Sequence, residues 1–226
     1  MGTSNWQNIS YNIEIVGRIN PKAILDFGVG FGRWGILYRE FLEIWDDKNY
    51  SGKWTRTIDG IEVFPQYIKP YHNYFYSNLF ITEGYAHLSQ TEKNYDLIVF
   101  GDVIEHFDKE AAEKLLDIAL KKSEYVLVNI PIGKNWAQGA INGNIYEVHK
   151  SIWYISDFSK YKYKKIKTFR DLMKKKFAVV LLSNHKIDLE KEYEVKYGKY
   201  YYLKSVLSNR LKLSKVVEKI IRFRKK

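Results

Sequence analysis

The chain has 226 residues, no cysteine and two methionines. Disulfide frameworks, thiolate catalysis and cysteine-ligated zinc are thereby excluded. There are four prolines and no Pro-rich or Gly/Ser-rich stretch that would mark a linker. No internal repeat is visible. No apolar run approaches the roughly 20 residues that span a bilayer. The first ten residues lack the basic-then-apolar order of a secretory signal, so a cytoplasmic location is expected.

What is present points to a globular chain. Hydrophobic residues make up 46% and aromatic residues 16%, including 19 tyrosines, enough for one α/β domain with a full core. The net charge of +11 is unevenly placed. Residues 1–159 hold 15 Lys/Arg against 20 Asp/Glu, and residues 160–226 hold 22 against 6, so the two parts carry −5 and +16. The basic end either serves an anionic partner or is a solvated surface.

Apolar runs and helical periodicities alternate. An amphipathic helix is expected over residues 5–19, then strands over 23–27, 56–63, 74–76, 95–100 and 125–130. Helices are expected over 34–45 and 108–122. Strands apolar throughout belong to a parallel sheet covered on both faces, so a doubly wound α/β domain is predicted. Residues 166–170 and 177–183 read as an antiparallel pair at the sheet edge. The domain is placed at 1–185, with a basic helical extension over 186–226.

The strongest local signal is the run Leu25-Asp26-Phe27-Gly28-Val29-Gly30-Phe31-Gly32, which follows a strand and opens a helix. Glycines there let a ligand lie against backbone amides. Their spacing differs from the dinucleotide fingerprint. Asp26 would suit a cationic ligand and repel a pyrophosphate. Glu62 ends the second strand, where an acid can accept both ribose hydroxyls.

Residues 24–35, Asp59 to Glu62 and the run Tyr95-Asp96-Leu97-Ile98-Val99-Phe100-Gly101-Asp102-Val103-Ile104-Glu105-His106 together resemble the class I S-adenosylmethionine-dependent methyltransferases. The resemblance covers about residues 5–185. It implies a Rossmann-like, mostly parallel seven-stranded sheet with an antiparallel final strand, and S-adenosylmethionine as cofactor. By the same resemblance Asp26, Gly28 and Gly30 would hold the methionine part and Glu62 the ribose. Asn78 would contact the adenine amine, and Gly101 and Asp102 would line the methyl side. Val29 stands where the family often has Cys or Ser.

Methyl transfer from a sulfonium needs positioning and a base for the acceptor proton. His106 is one candidate base; alternatively it packs the helix start beneath the donor. The loop from Pro131 to His149 is rich in Gly, Asn, Gln, Trp and Tyr, which suits a polar acceptor. Glu147 and His149, two apart, would face the same way if extended and could deprotonate a hydroxyl. His106, His149, Asp102 and Glu105 show no recognised metal-ligand spacing, so no metal is expected. The loop, together with Gly32-Arg33-Trp34-Gly35, also resembles methyltransferases of bacterial surface-polysaccharide and secondary-metabolite synthesis, which implies a sugar or small-molecule hydroxyl as acceptor.

Residues 209–226 show helical periodicity, with Leu213, Val216, Val217, Ile220 and Ile221 on one face and lysines and arginines on another. That form either rests on an anionic membrane at the inner face or packs on its own domain or a second copy, a homo-oligomer. Residues 160–176 interleave basic and aromatic side chains, so nucleic acid is the competing partner and an RNA methyltransferase the alternative enzyme. A catalytically silent binding protein and an NAD-linked oxidoreductase are the remaining alternatives.

Overall fold

The computed structural model describes residues 5–189. All but the last two of them belong to a compact unit that ends at Ile187. The basic C-terminal helix expected from the sequence lies outside the described residues.

Strand β1 (Ala23–Phe27) follows helix α1 (Ile9–Ile19), which ends on Asn20 in the left-handed region just before Pro21. Strand β2 (Thr57–Glu62), β3 (Asn78–Ile81), β4 (Tyr95–Gly101) and β5 (Ser123–Pro131) complete the parallel part. β6 (Tyr163–Arg170) and β7 (Lys176–Ser183) form a hairpin, with β7 inserted antiparallel beside β5. The order β3-β2-β1-β4-β5-β7-β6 gives one seven-stranded sheet, as expected. β6 forms an edge carrying Lys164, Lys165 and Lys167, charges that discourage further strand pairing.

Alternation along the central strands sorts the core into two layers. Leu25, Phe27, Ile98, Phe100, Val126 and Val128 pack with Leu115, Leu116 and Ala119 of α5 (Lys109–Lys122) and Leu88 of α4 (Gly84–Gln90). Ile24, Asp26, Leu97, Val99 and Leu127 point to the opposite side and are fully buried there. Nearly complete burial of β4 and β5 is what their unbroken apolar runs imply.

Helix α2 (Arg33–Tyr38) runs into π-helical turns over Arg39–Asp46. Arg39 and Glu43 form a buried ion pair inside those turns. Glu43 also accepts from the amides of Thr55 and Arg56 at 2.7 and 3.1 Å, and Arg39 donates to the carbonyls of Phe75 and Arg56 at 2.8 Å each. The pair thus fixes the entry to β2 and the end of the short helix α3 (His72–Phe75).

The expected third strand at 74–76 is corrected. His72–Phe75 is helical, and the strand starts at Asn78. Aromatic residues favour strands only where a pleated surface accepts them. Here Tyr76 turns inward instead, and its hydroxyl reaches Asp26 at 2.5 Å. Helix α4 was not anticipated.

Candidate active site

Parallel strands deliver their C-terminal ends to one rim, where open α/β sheets place ligands. A cavity of about 600 Å³ lies there, within the range of small-molecule sites. Gly28, Gly30, Glu62, Gly101, Asp102, His106, Glu147 and His149, all proposed from the sequence, line it. Asp26 and Asn78 do not.

The glycine turn leaves β1 with Gly28, Gly30 and Gly32 at positive φ, a path that side chains resist. The Gly28 and Val29 amides bond the Ile61 carbonyl at 2.9 and 3.1 Å. Gly30 donates to Glu62 Oε2 at 2.9 Å, and Phe64 donates to Oε1 at 2.9 Å. Glu62 is therefore aimed at the turn, and each carboxylate oxygen keeps a lone pair for a ligand. Burial, the largest influence, holds its pKa above the usual range against these bonds.

Asp26 is sealed below the turn. It is fully buried, accepts from Tyr76, and is pushed up to about 7 by burial. Strand alternation accounts for this placement: Phe27 opens to the cavity, and Asp26 points to the other face of the sheet, toward Tyr76 and Tyr38. Asn78 is also displaced. It sits level with Asp59 in the register, donates to Asp59 Oδ1 at 2.8 Å, and lies well short of the strand end. The cavity residues after β3 are Thr82, Glu83 and Gly84. The misplaced third strand is the source of that error.

Trp34 was missed. It opens α2 and lines the cavity, and its buried Nε1 has no hydrogen-bond partner within the described residues. A Cβ on Gly101 would stand 2.2 Å from that nitrogen, so only glycine admits the indole there. An unpaired donor at a ligand wall costs about 1–3 kcal/mol unless a ligand or water satisfies it. Asp102 follows at φ 56, a left-handed conformation uncommon for a residue other than glycine and found at functional sites.

The opposite wall combines β4's end with the loop after β5. Lys150 and Ser151 donate to the Glu105 carbonyl at 2.8 and 3.1 Å, which joins the two segments. Glu147 belongs to a 3-10 turn over Ile145–Glu147 rather than an extended run, yet it and His149 both reach the cavity. Tyr67 donates to Glu147 Oε1 at 2.7 Å. The His106 and His149 rings meet edge to face with centroids 4.9 Å apart. Burial lowers both imidazole pKa values, with His106 adding to the effect on His149, which favours their neutral forms. Burial also holds the Glu105 carboxyl well above its usual range, helped by the charge of Asp102. The structure brings Glu105, His106 and His149 together with their ligand atoms all within 4.8 Å, a cluster that sequence spacing did not reveal.

Strand order, glycine turn and cavity together define the class I methyltransferase fold. A SAM dependent methyltransferase from Archaeoglobus fulgidus superposes with TM-score 0.56 at 14% identity, over 78% of this chain and 92% of that one. Magnesium protoporphyrin IX methyltransferase from Synechocystis, with bound SAH, gives 0.54 at 11% identity, over 81% and 90%. An O-methyltransferase from Bacillus cereus in complex with SAH gives 0.51 at 9% identity, over 81% and 84%. No protein-family model matches the chain, and no curated protein matches it in sequence. Among the described residues no helix is long and apolar enough to cross a membrane.

Proposed function

We propose that the chain is an S-adenosylmethionine-dependent methyltransferase that methylates a hydroxyl of a sugar or another small polar molecule. The observation that carries this reading is Glu62, held by the amides of Gly30 and Phe64 at the rim of a cavity whose floor is the glycine turn. The residues present fit the donor. Glu62 accepts from the ribose, the unpaired Trp34 Nε1 can donate to a carboxylate, and Gly28 and Gly101 let Val103 and Trp34 pack close against the cavity wall. When bound, the donor supplies an activated methyl group on a sulfonium.

Charge supports the choice of ligand. Glu62, Glu83, Asp102 and Glu147 line the cavity beside Glu105, whose carboxyl is held toward its neutral form by burial, against Lys150 as the one lysine or arginine among its lining residues. Such a field favours a sulfonium and an ammonium and disfavours a diphosphate or a nucleic-acid backbone. The residues on the far wall act on the acceptor. Asn144, Gln138 and Tyr146 offer polar contacts to hydroxyls. Glu147 or a neutral imidazole takes the proton as the acceptor oxygen bonds to the methyl carbon, and the C–S electron pair stays on sulfur.

Calorimetry with S-adenosylhomocysteine and with NADH tests the donor site. Saturable binding of the first alone is expected, and Glu62→Gln should weaken it by about 10- to 100-fold, the worth of one or two hydrogen bonds to a charged group. Incubation with labelled donor then separates acceptors. Label in nucleotide-sugars supports the hydroxyl reading, and label in RNA alone removes it.

A further inference from the structure

We propose that Glu105, His106 and His149 form a binding site for one divalent transition-metal ion, in the class of Mn2+ and Zn2+, on the acceptor wall of the cavity. The argument begins with the two imidazoles. His106 Nδ1 lies 3.2 Å from the Val148 carbonyl, and His149 Nδ1 bonds the Trp136 carbonyl. A carbonyl oxygen only accepts, so each Nδ1 carries the proton. The His149 Nε2 lone pair then faces Glu105 Oε1, and the backbone bonds, with the Asp102 and Glu147 carbonyls as further partners of His106, fix both ring planes. Metal-bound histidines are oriented in this way, with the second nitrogen donating to a carbonyl.

The third donor is Glu105, whose residue is 1% exposed. Its Oε2 is buried without a hydrogen-bond partner within the described residues, and Oε1 lies 4.0 Å from His149 Nε2. A buried carboxyl oxygen without a partner is costly, and a cation bound in exchange for the carboxyl proton removes the cost. All three ligand atoms lie within 4.8 Å of one another. Ligands about 2.1 Å from one ion stand roughly 3.4 Å apart, so side-chain shifts closing the gaps by up to about 1.4 Å complete the set. Two imidazoles and a carboxylate suit first-row transition ions, and three protein ligands leave positions open to the cavity. An acceptor hydroxyl in one of them would be acidified, its proton passing to Glu147. That role in transfer rests on the methyltransferase reading; metal binding does not.

The test uses the full chain dialysed against chelator. Titration with Mn2+ alone, followed by the paramagnetic resonance of the free ion, is expected to show one equivalent bound, with Zn2+ displacing it. Glu105→Gln and His149→Ala should each lower Mn2+ affinity at least about tenfold. A circular dichroism spectrum and a thermal unfolding midpoint close to the parent's show that each variant is folded. Should Glu105→Gln not fold, the half-buried His149→Ala decides alone. Absence of saturable Mn2+ and Zn2+ binding, or binding that both variants retain in full, overturns the proposal. Metal binding without S-adenosylhomocysteine binding would instead overturn the donor reading.

Discussion

Asp26 and Glu62 are two buried acids near the same turn, and their surroundings give them different work. Glu62 is held by backbone amides and opens to the cavity; Asp26 is paired with a tyrosine and shut away. Asp26 titrates near 3.8 when exposed and near 7 in the fold. A raised pKa means the stabilisation is complete below the lower value and is lost as pH rises through the upper one, on the order of 4 kcal/mol. Glu62 and Glu105 are shifted in the same direction and add to the decline, and the lowered imidazoles of His106 and His149 offset part of it. The thermal unfolding midpoint should therefore fall between pH 4 and 7, and Asp26→Asn should fall less steeply. Because Asp26 does not line the cavity, the variant should bind S-adenosylhomocysteine within about threefold of the parent. Parallel slopes for parent and variant in scans across that range would show that Asp26 is not the source. Glu62 was legible because the end of a parallel strand faces the ligand rim. The side Asp26 takes was not, because a strand that is apolar at every other position gives no sign of which face its one acid joins.

At the scale of elements, the docking of α1 on β5 decides the shape of the cavity's roof. Asn8 at its N-cap and Asn12 within it both donate to Asn129 Oδ1 of β5 at 2.9 Å, and all three residues are fully buried. Asn5 and Trp6, immediately before the helix, line the cavity. Asn129→Ala removes the shared acceptor and leaves the buried Asn8 amide without it, at about 1–3 kcal/mol, while Asn12 keeps its bond to the Asn8 carbonyl at 3.0 Å. Urea unfolding should register that loss, and S-adenosylhomocysteine should bind more weakly as Asn5 and Trp6 lose their anchor. An unchanged midpoint would mean the amides find other partners. Periodicity located β1, β4, β5, α5 and the terminal hairpin, since each is long or continuously apolar and its neighbours bury it. It failed at β3, a four-residue edge strand with exposed ends that begins at Asn78, because three adjacent aromatic residues just upstream mimic a strand. It also passed over the Asn8–Asn12–Asn129 cluster, whose members are ordinary polar residues until the fold closes around them. The Glu105–His106–His149 cluster was hidden for a related reason: the two segments meet only where the loop after β5 folds back on the end of β4.

At the scale of the whole molecule, charge and site are separated along the chain. The residues lining the cavity run from Asn5 to Lys150, and the last strand of the sheet ends at Ser183. The compact unit closes at Ile187, and the residues after it hold 12 Lys/Arg against 5 Asp/Glu. A chain ending at Ile187 therefore keeps every strand and every cavity residue found among the described residues while losing a net charge of +7. It should fold, bind S-adenosylhomocysteine within about twofold of the full chain by calorimetry, and retain Mn2+ binding. Its affinity for anionic vesicles at low salt should fall at least about tenfold, since each Lys or Arg near such a surface is worth about 1 kcal/mol. A shortened chain that binds vesicles as well as its parent would assign that contact to the lysines of the β6–β7 hairpin. One that no longer binds S-adenosylhomocysteine would mean that the basic end completes the donor site, and the cavity as drawn from its lining residues would be wrong.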